Sequence, residues 1–83
     1  MYRIVIVRSA QKELANLPDA VYDRVVAAIQ SLATTPCPVG CVKLQGSEDW
    51  RIRVGAYRII YRINDDELVV TVIKVGHRGS VYR

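Results

Sequence analysis

The chain has 83 residues, and its 51% hydrophobic share is enough for one core. A single domain over residues 1–83 is expected, near the lower limit of what folds alone. No segment approaches the ~18 uninterrupted apolar residues that would cross a membrane, and no signal peptide precedes the first strand-like run, so a cytoplasmic globule without a membrane partner is expected. The formal net charge is +4 and lopsided: residues 1–50 carry five Lys/Arg against five Asp/Glu, and residues 51–83 carry seven against three. That is the footprint of a polyanionic partner, although +4 on a small domain also serves solubility.

Tyr2 to Val7 alternates and is β-branched, which predicts a strand. Ser9 is the expected N-cap of a short helix running through Leu17 and ended by Pro18. Asp19 opens a second helix whose stripe is read as Tyr22, Val25, Val26, Ile29, Leu32 and Ala33, with Asp23, Arg24 and Gln30 on the wet face. Thr34 to Gly40 reads as a loop. In it, Cys37 and Cys41 lack the further ligands that zinc requires, and a disulfide calls for an oxidising compartment. Two reduced thiols are expected.

The remainder reads as strands. Trp50, Ile52 and Val54 alternate with Arg51 and Arg53, giving one apolar and one basic face. Gly55-Ala56 supplies a turn, Tyr57 to Ile63 a strand, Asn64-Asp65-Asp66 a turn, and Leu68 to Val75 a last strand. The order β-α-α-β-β-β argues for an α+β fold, an antiparallel sheet with both helices on one face. If Ile59 and Tyr61 point inward, Arg58 and Arg62 turn outward beside Arg51 and Arg53.

No phosphate loop, metal-ligand cluster or Ser-His-Asp set is present, so neither metal nor cofactor is expected. The arginine face lies beside Gly76-His77-Arg78-Gly79-Ser80-Val81-Tyr82. A phenol, an imidazole and several guanidinium groups suffice to cut RNA, which carries its own nucleophile in the 2′-hydroxyl. A base takes that proton, cations stabilise the transition state, and an acid protonates the departing 5′-oxygen. Tyr82 is a poor base at its free pKa of ~10, but neighbouring arginines favour the phenolate. Taken singly, Tyr82 also reads as a packing residue and His77 as a solvated loop histidine.

The run Trp50-Arg51-Ile52-Arg53-Val54-Gly55-Ala56-Tyr57-Arg58-Ile59-Ile60-Tyr61, with Val75-Gly76-His77-Arg78 and Val81-Tyr82, resembles the RelE branch of the RelE/ParE toxin superfamily. The opening strand, the helices and Lys43-Leu44-Gln45-Gly46 fit as well, so the likeness covers essentially the whole chain. The resemblance implies a fold related to microbial ribonucleases, metal-independent cleavage of messenger RNA in the ribosomal A site, and silencing by a cognate antitoxin that wraps the toxin. The partners it implies are that antitoxin, the ribosome and messenger RNA, with operator DNA reached through the antitoxin.

Carried over by position, the family's two basic strand residues fall on Arg51 and Arg53. Its motif arginine falls on Arg58, its C-terminal arginine on Arg78 and its terminal tyrosine on Tyr82. The first two are often lysine in the family. Arginine stays protonated, so proton transfer shifts to Tyr82 or His77, while Arg51, Arg53 and Arg62 bind RNA. The alternative is a ParE-like inhibitor of DNA gyrase that shares the fold without catalysis, since fold alone does not decide function. A third reading, an inactive RNA-binding module, requires Tyr82 and His77 to lie remote from the basic face.

Overall fold

The computed structural model describes residues 1–77. Strand β1 (Arg3–Ile6) leads into helices α1 (Arg8–Ala15) and α2 (Asp19–Ser31), then β2 (Val42–Lys43), β3 (Asp49–Val54), β4 (Tyr57–Asn64) and β5 (Val69–His77). The five strands form one sheet in the order β1-β5-β4-β3-β2. Strands β2 to β5 pair antiparallel, each with the next in the chain. β1 lies parallel to β5, with Arg3 opposite Val69 and Ile6 opposite Val72. The fold is α+β with two helices on a mixed sheet. The expected antiparallel meander holds for β3 to β5, and the parallel edge arises because the helices carry the chain across the sheet before the meander begins. Among the described residues no helix is long and apolar enough to cross a membrane.

Local chemistry explains most element boundaries. Pairing of Val54 with Tyr57 leaves Gly55-Ala56 as a two-residue turn, and Gly55 takes a φ of +60° that strains an L side chain. Between β4 and β5, Asn64 Oδ1 accepts the Glu67 N–H at 2.9 Å. The Tyr2 hydroxyl donates to Asp65 in the same turn, a contact that raises the Tyr2 pKa. Helix α2 starts at Asp19 directly after Pro18, where an aspartate complements the positive end of the helix. Ser9 is not the cap of α1. The helix begins two residues earlier than that cap would place it, Val7 is the N-cap without a side-chain bond, and the Gln11 amide instead reaches back to the Ile6 carbonyl at 2.8 Å.

One core joins both helices to one sheet face: Ala10 and Leu14 from α1, Val25, Ile29 and Leu32 from the α2 region, and Ile52, Ile59, Tyr61, Val70, Val72 and Val75 from the strands. The α2 stripe is rotated from the expected one. Tyr22 is exposed, while Val21 and Ala28 pack against the core, so positions 21, 25, 28, 29 and 32 form a tighter helical face. In β5 the register steps from Lys74 opposite Ile60 to Val72 opposite Tyr61. Ile73 is therefore an extra residue, a bulge that reverses the alternation beyond it. Val75 and His77 consequently share the face that Val70 and Val72 occupy on the other side of the bulge.

Candidate nucleic-acid interface

The pairing of β3 with β4 sorts their side chains. Trp50, Ile52 and Val54 lie opposite Tyr61, Ile59 and Tyr57 on the helix side, while Arg51 and Arg53 lie opposite Ile60 and Arg58 on the other. Arg53 and Arg62 are exposed, and Arg51 and Arg58 are half-buried. Arg53 and Arg58 are direct cross-strand partners, an arrangement in which like charges oppose folding. The Nε atom of Arg58 has no solvent access. Arg62 pairs with its own cross-strand partner, Nε to Asp49 Oδ1 at 2.9 Å.

Ile60 sits among these cations. It is 7% exposed yet lies outside the core cluster, and its strand neighbours are Arg51 and Lys74. Long basic side chains flank an apolar floor, the way their hydrocarbon stems are commonly used. Lys74 extends around the sheet edge to Glu13, 3.7 Å away. The same carboxylate accepts the Val75 backbone N–H at 2.9 Å. β1 ends opposite Val72, so Glu13 satisfies a strand edge that β1 no longer covers. Sequence reasoning missed this role, because nothing in the helix pattern distinguishes Glu13 from a solvated face.

The structure therefore gathers Arg51, Arg53, Arg58 and Arg62 on the face opposite the helices. His77 falls by register on the other face, opposite Tyr57, with the two rings edge to face and their centroids 5.5 Å apart. Arg78 and Tyr82 lie outside the described residues. Among the described residues no group of three or more His, Cys, Asp or Glu could hold a metal ion.

A second feature was not foreseen. At the β3 edge a groove of about 490 Å³ is walled by Ala28 and Ser31 of α2, the Pro38–Val42 segment, and Arg51 to Arg53. Its loop wall is cross-linked. Cys37 and Cys41 form a disulfide with Cα atoms 5.3 Å apart, contrary to the two reduced thiols expected. The four-residue spacing was the available signal, and the argument from compartment outweighed it. The buried Tyr61 hydroxyl donates to the Pro36 carbonyl at 2.7 Å and lies 3.1 Å from Cys41 Sγ. Burial pushes the Tyr61 pKa up to about 12. Two-residue β2, too short to show any periodicity, continues from this loop.

Residues 4–82 match the family model described as the ParE toxin of type II toxin-antitoxin systems, parDE. Toxin RelG of Mycobacterium tuberculosis is 31% identical over 84 residues, covering 99% of this chain and 97% of the relative. The RelE-RelB complex of the archaeon Pyrococcus horikoshii contains a chain that superposes with a TM-score of 0.84 at 32% identity, covering 96% of this chain and 98% of that one. A chain of the intact E. coli RelBE toxin-antitoxin complex superposes with a TM-score of 0.81 at 26% identity, covering 93% and 96%.

Proposed function

The chain belongs to the RelE/ParE family of type II toxin-antitoxin toxins, and from that premise we propose that it is a metal-independent, ribosome-dependent endoribonuclease that cuts messenger RNA in the A site. The observation that carries this reading is the arginine face, above all the Arg53–Arg58 cross-strand pair. Two guanidinium groups set opposite each other on adjacent strands are spaced to hold one RNA phosphate through bidentate hydrogen bonds. Arg51, Arg53 and Arg62 orient the RNA backbone, and Arg58 and Arg78 hold the scissile phosphate.

In the proposed step the substrate's 2′-oxygen attacks the adjacent phosphorus while Tyr82 takes its proton. Arg58 and Arg78 offset the charge that builds on the phosphoryl oxygens, and the departing 5′-oxygen takes a proton from solvent water. The products are a 2′,3′-cyclic phosphate and a 5′-hydroxyl. His77 is the reserve base. Its place opposite Tyr57, on the far face from Arg58, favours Tyr82.

The RelE relatives found in complex with RelB support a cognate antitoxin for this chain, silencing it in the cytoplasm and linking the pair to operator DNA. A short open reading frame should flank the gene, and expression without it should arrest growth. A second reading, a ParE-like gyrase inhibitor, is favoured by the description of the matched family model itself. Induction followed by mapping of cellular 5′ ends separates the two. New 5′-hydroxyl ends within translated messages support the nuclease, and a DNA-damage response with intact messages supports gyrase inhibition.

A further inference from the structure

We propose that Cys37 and Cys41 are a reversible thiol–disulfide exchange site, reduced by a small cysteine-type thiol that attacks Cys37, and that their redox state sets the stiffness of the wall of the β3-edge groove. The inference is independent of the nuclease reading. Three observations carry it. The first is access: Cys37 is exposed and Cys41 half-buried, so an incoming thiolate meets Cys37 and expels Cys41.

The second is position. The cross-linked loop contributes Pro38, Val39 and Gly40 to the groove, and Val39 at its tip is fully exposed. On one side the loop is fixed by Tyr61 through Pro36. On the other it passes into β2, whose pairing is only Val42 with Arg51 and Lys43 with Trp50. Closing so short a loop contributes less to stability than a longer loop would, and no fully buried core residue lies between Cys37 and Cys41, so opening it loosens the segment between Pro36 and β2 while the core stays packed.

The third is the hydrogen-bond balance at Cys41. The Tyr61 hydroxyl has one proton, donated to Pro36. With that proton committed to Pro36, the phenol has a lone pair to offer Cys41 Sγ, 3.1 Å away. A disulfide sulfur has no proton to place there, whereas a Cys41 thiol completes an S–H···O bond. The phenol stays neutral throughout the range in which thiols titrate, since burial pushes its pKa to about 12. A waiting acceptor therefore stabilises the reduced form and makes exchange reversible.

The chemistry balances. A thiolate attacks Cys37 Sγ, the Cys37–Cys41 bond breaks, and Cys41 leaves as a thiolate that takes a proton. A second thiolate attacks the reductant's sulfur in the mixed disulfide and releases Cys37, which is also protonated. Two small thiols become one disulfide, and the protein gains two electrons and two protons.

The test uses the full chain equilibrated with glutathione and glutathione disulfide in graded ratios. Alkylation and mass spectrometry read the thiols, and amide hydrogen exchange reads residues 39–43. Reduction is expected in the folded protein, with exchange at 39–43 accelerated about tenfold or more and the core unchanged. With Cys41→Ser, glutathione disulfide should load Cys37 about tenfold faster than it loads Cys41 in Cys37→Ser. Tyr61→Phe should shift the equilibrium towards the disulfide about fivefold, the worth of one hydrogen bond. Reduction only on unfolding, unchanged exchange at 39–43, or equal loading of the two cysteines would each overturn the proposal.

Discussion

Strands β3 and β4 face two different physical problems at once. On the helix side Ile52, Ile59 and Tyr61 are removed from water and packed into a core shared with both helices. On the other side Arg51, Arg53, Arg58 and Arg62 stand on the same strands, two of them half-buried. Burial on the first face yields about 25 cal/mol per Å² of apolar surface. The second face concentrates positive charge where the first buries apolar surface. One face specifies the fold, and the other holds the side chains that the proposed function assigns to RNA.

The largest expected effect tests the second face. Tyr82→Phe keeps the ring and removes the proton acceptor, so cleavage in single turnover should drop by about 10²–10⁴ with ribosome binding nearly intact. Arg78→Ala should cost a comparable factor through lost charge stabilisation. If Tyr82→Phe cuts at the wild-type rate while His77→Ala is dead, the base is His77, and the division of labour between the faces breaks.

Next in size is a contrast between neighbours. Ile59 is fully buried on the helix side, and Ile60 is almost as buried on the arginine side. Ile59→Ala should cost about 2–5 kcal/mol in urea denaturation, the range for a cavity in a packed core. Ile60→Ala should cost roughly half as much, because flexible basic stems can settle into the space. Equal costs would mean that Ile60 belongs to a second, rigid core.

The sequence made one of these faces easier to read than the other. The period-2 pattern of Trp50 to Val54 is legible because one register turns every apolar residue to the helix side and both arginines to the other. The turn at Gly55 follows from its backbone chemistry. The bulge at Ile73 is invisible in that pattern, yet it decides that His77 faces Tyr57 rather than the arginines. Likewise, the parallel pairing of β1 depends on where the helices return the chain, and β2 exists only because β3 offers it partners. Tyr22 was misread because a tyrosine fits an apolar stripe by composition, while the core selected Val21. Local periodicity carries the faces, and long-range pairing carries their neighbours.

A third test addresses Tyr61, which belongs to the helix face and also holds the Pro36 loop. Its pKa is pushed up to about 12 by burial, against ~10 in the unfolded chain. Below pH 10 both states keep the proton and the stabilisation is whole. Between pH 10 and 12 the unfolded chain releases a proton that the folded one retains, so stability falls as pH rises, by about 2–3 kcal/mol. Tyr61→Phe should flatten that part of the curve. The Tyr2 pKa is raised as well, so Tyr2→Phe serves as the surface control and should leave most of the slope in place.

The smallest effect separates arginines within the basic face. If Arg51 and Arg53 contact phosphates, each alanine substitution should lower the slope of log K against log salt by ~0.7–0.9 for ribosome or RNA binding. Arg62 starts from a different state, because Asp49 already holds it at 2.9 Å. An exposed pair of this kind stabilises the fold by no more than ~1 kcal/mol. It nevertheless supplies a local counter-charge that an incoming phosphate must displace. Arg62→Ala should therefore lower the salt slope by clearly less than Arg53→Ala. Asp49→Asn, which keeps the shape and removes the charge, should free Arg62 and steepen the slope above that of the unsubstituted protein. An Arg62→Ala slope as low as that of Arg53→Ala would show that Asp49 yields to RNA without cost, and the face would then act as one uniform patch.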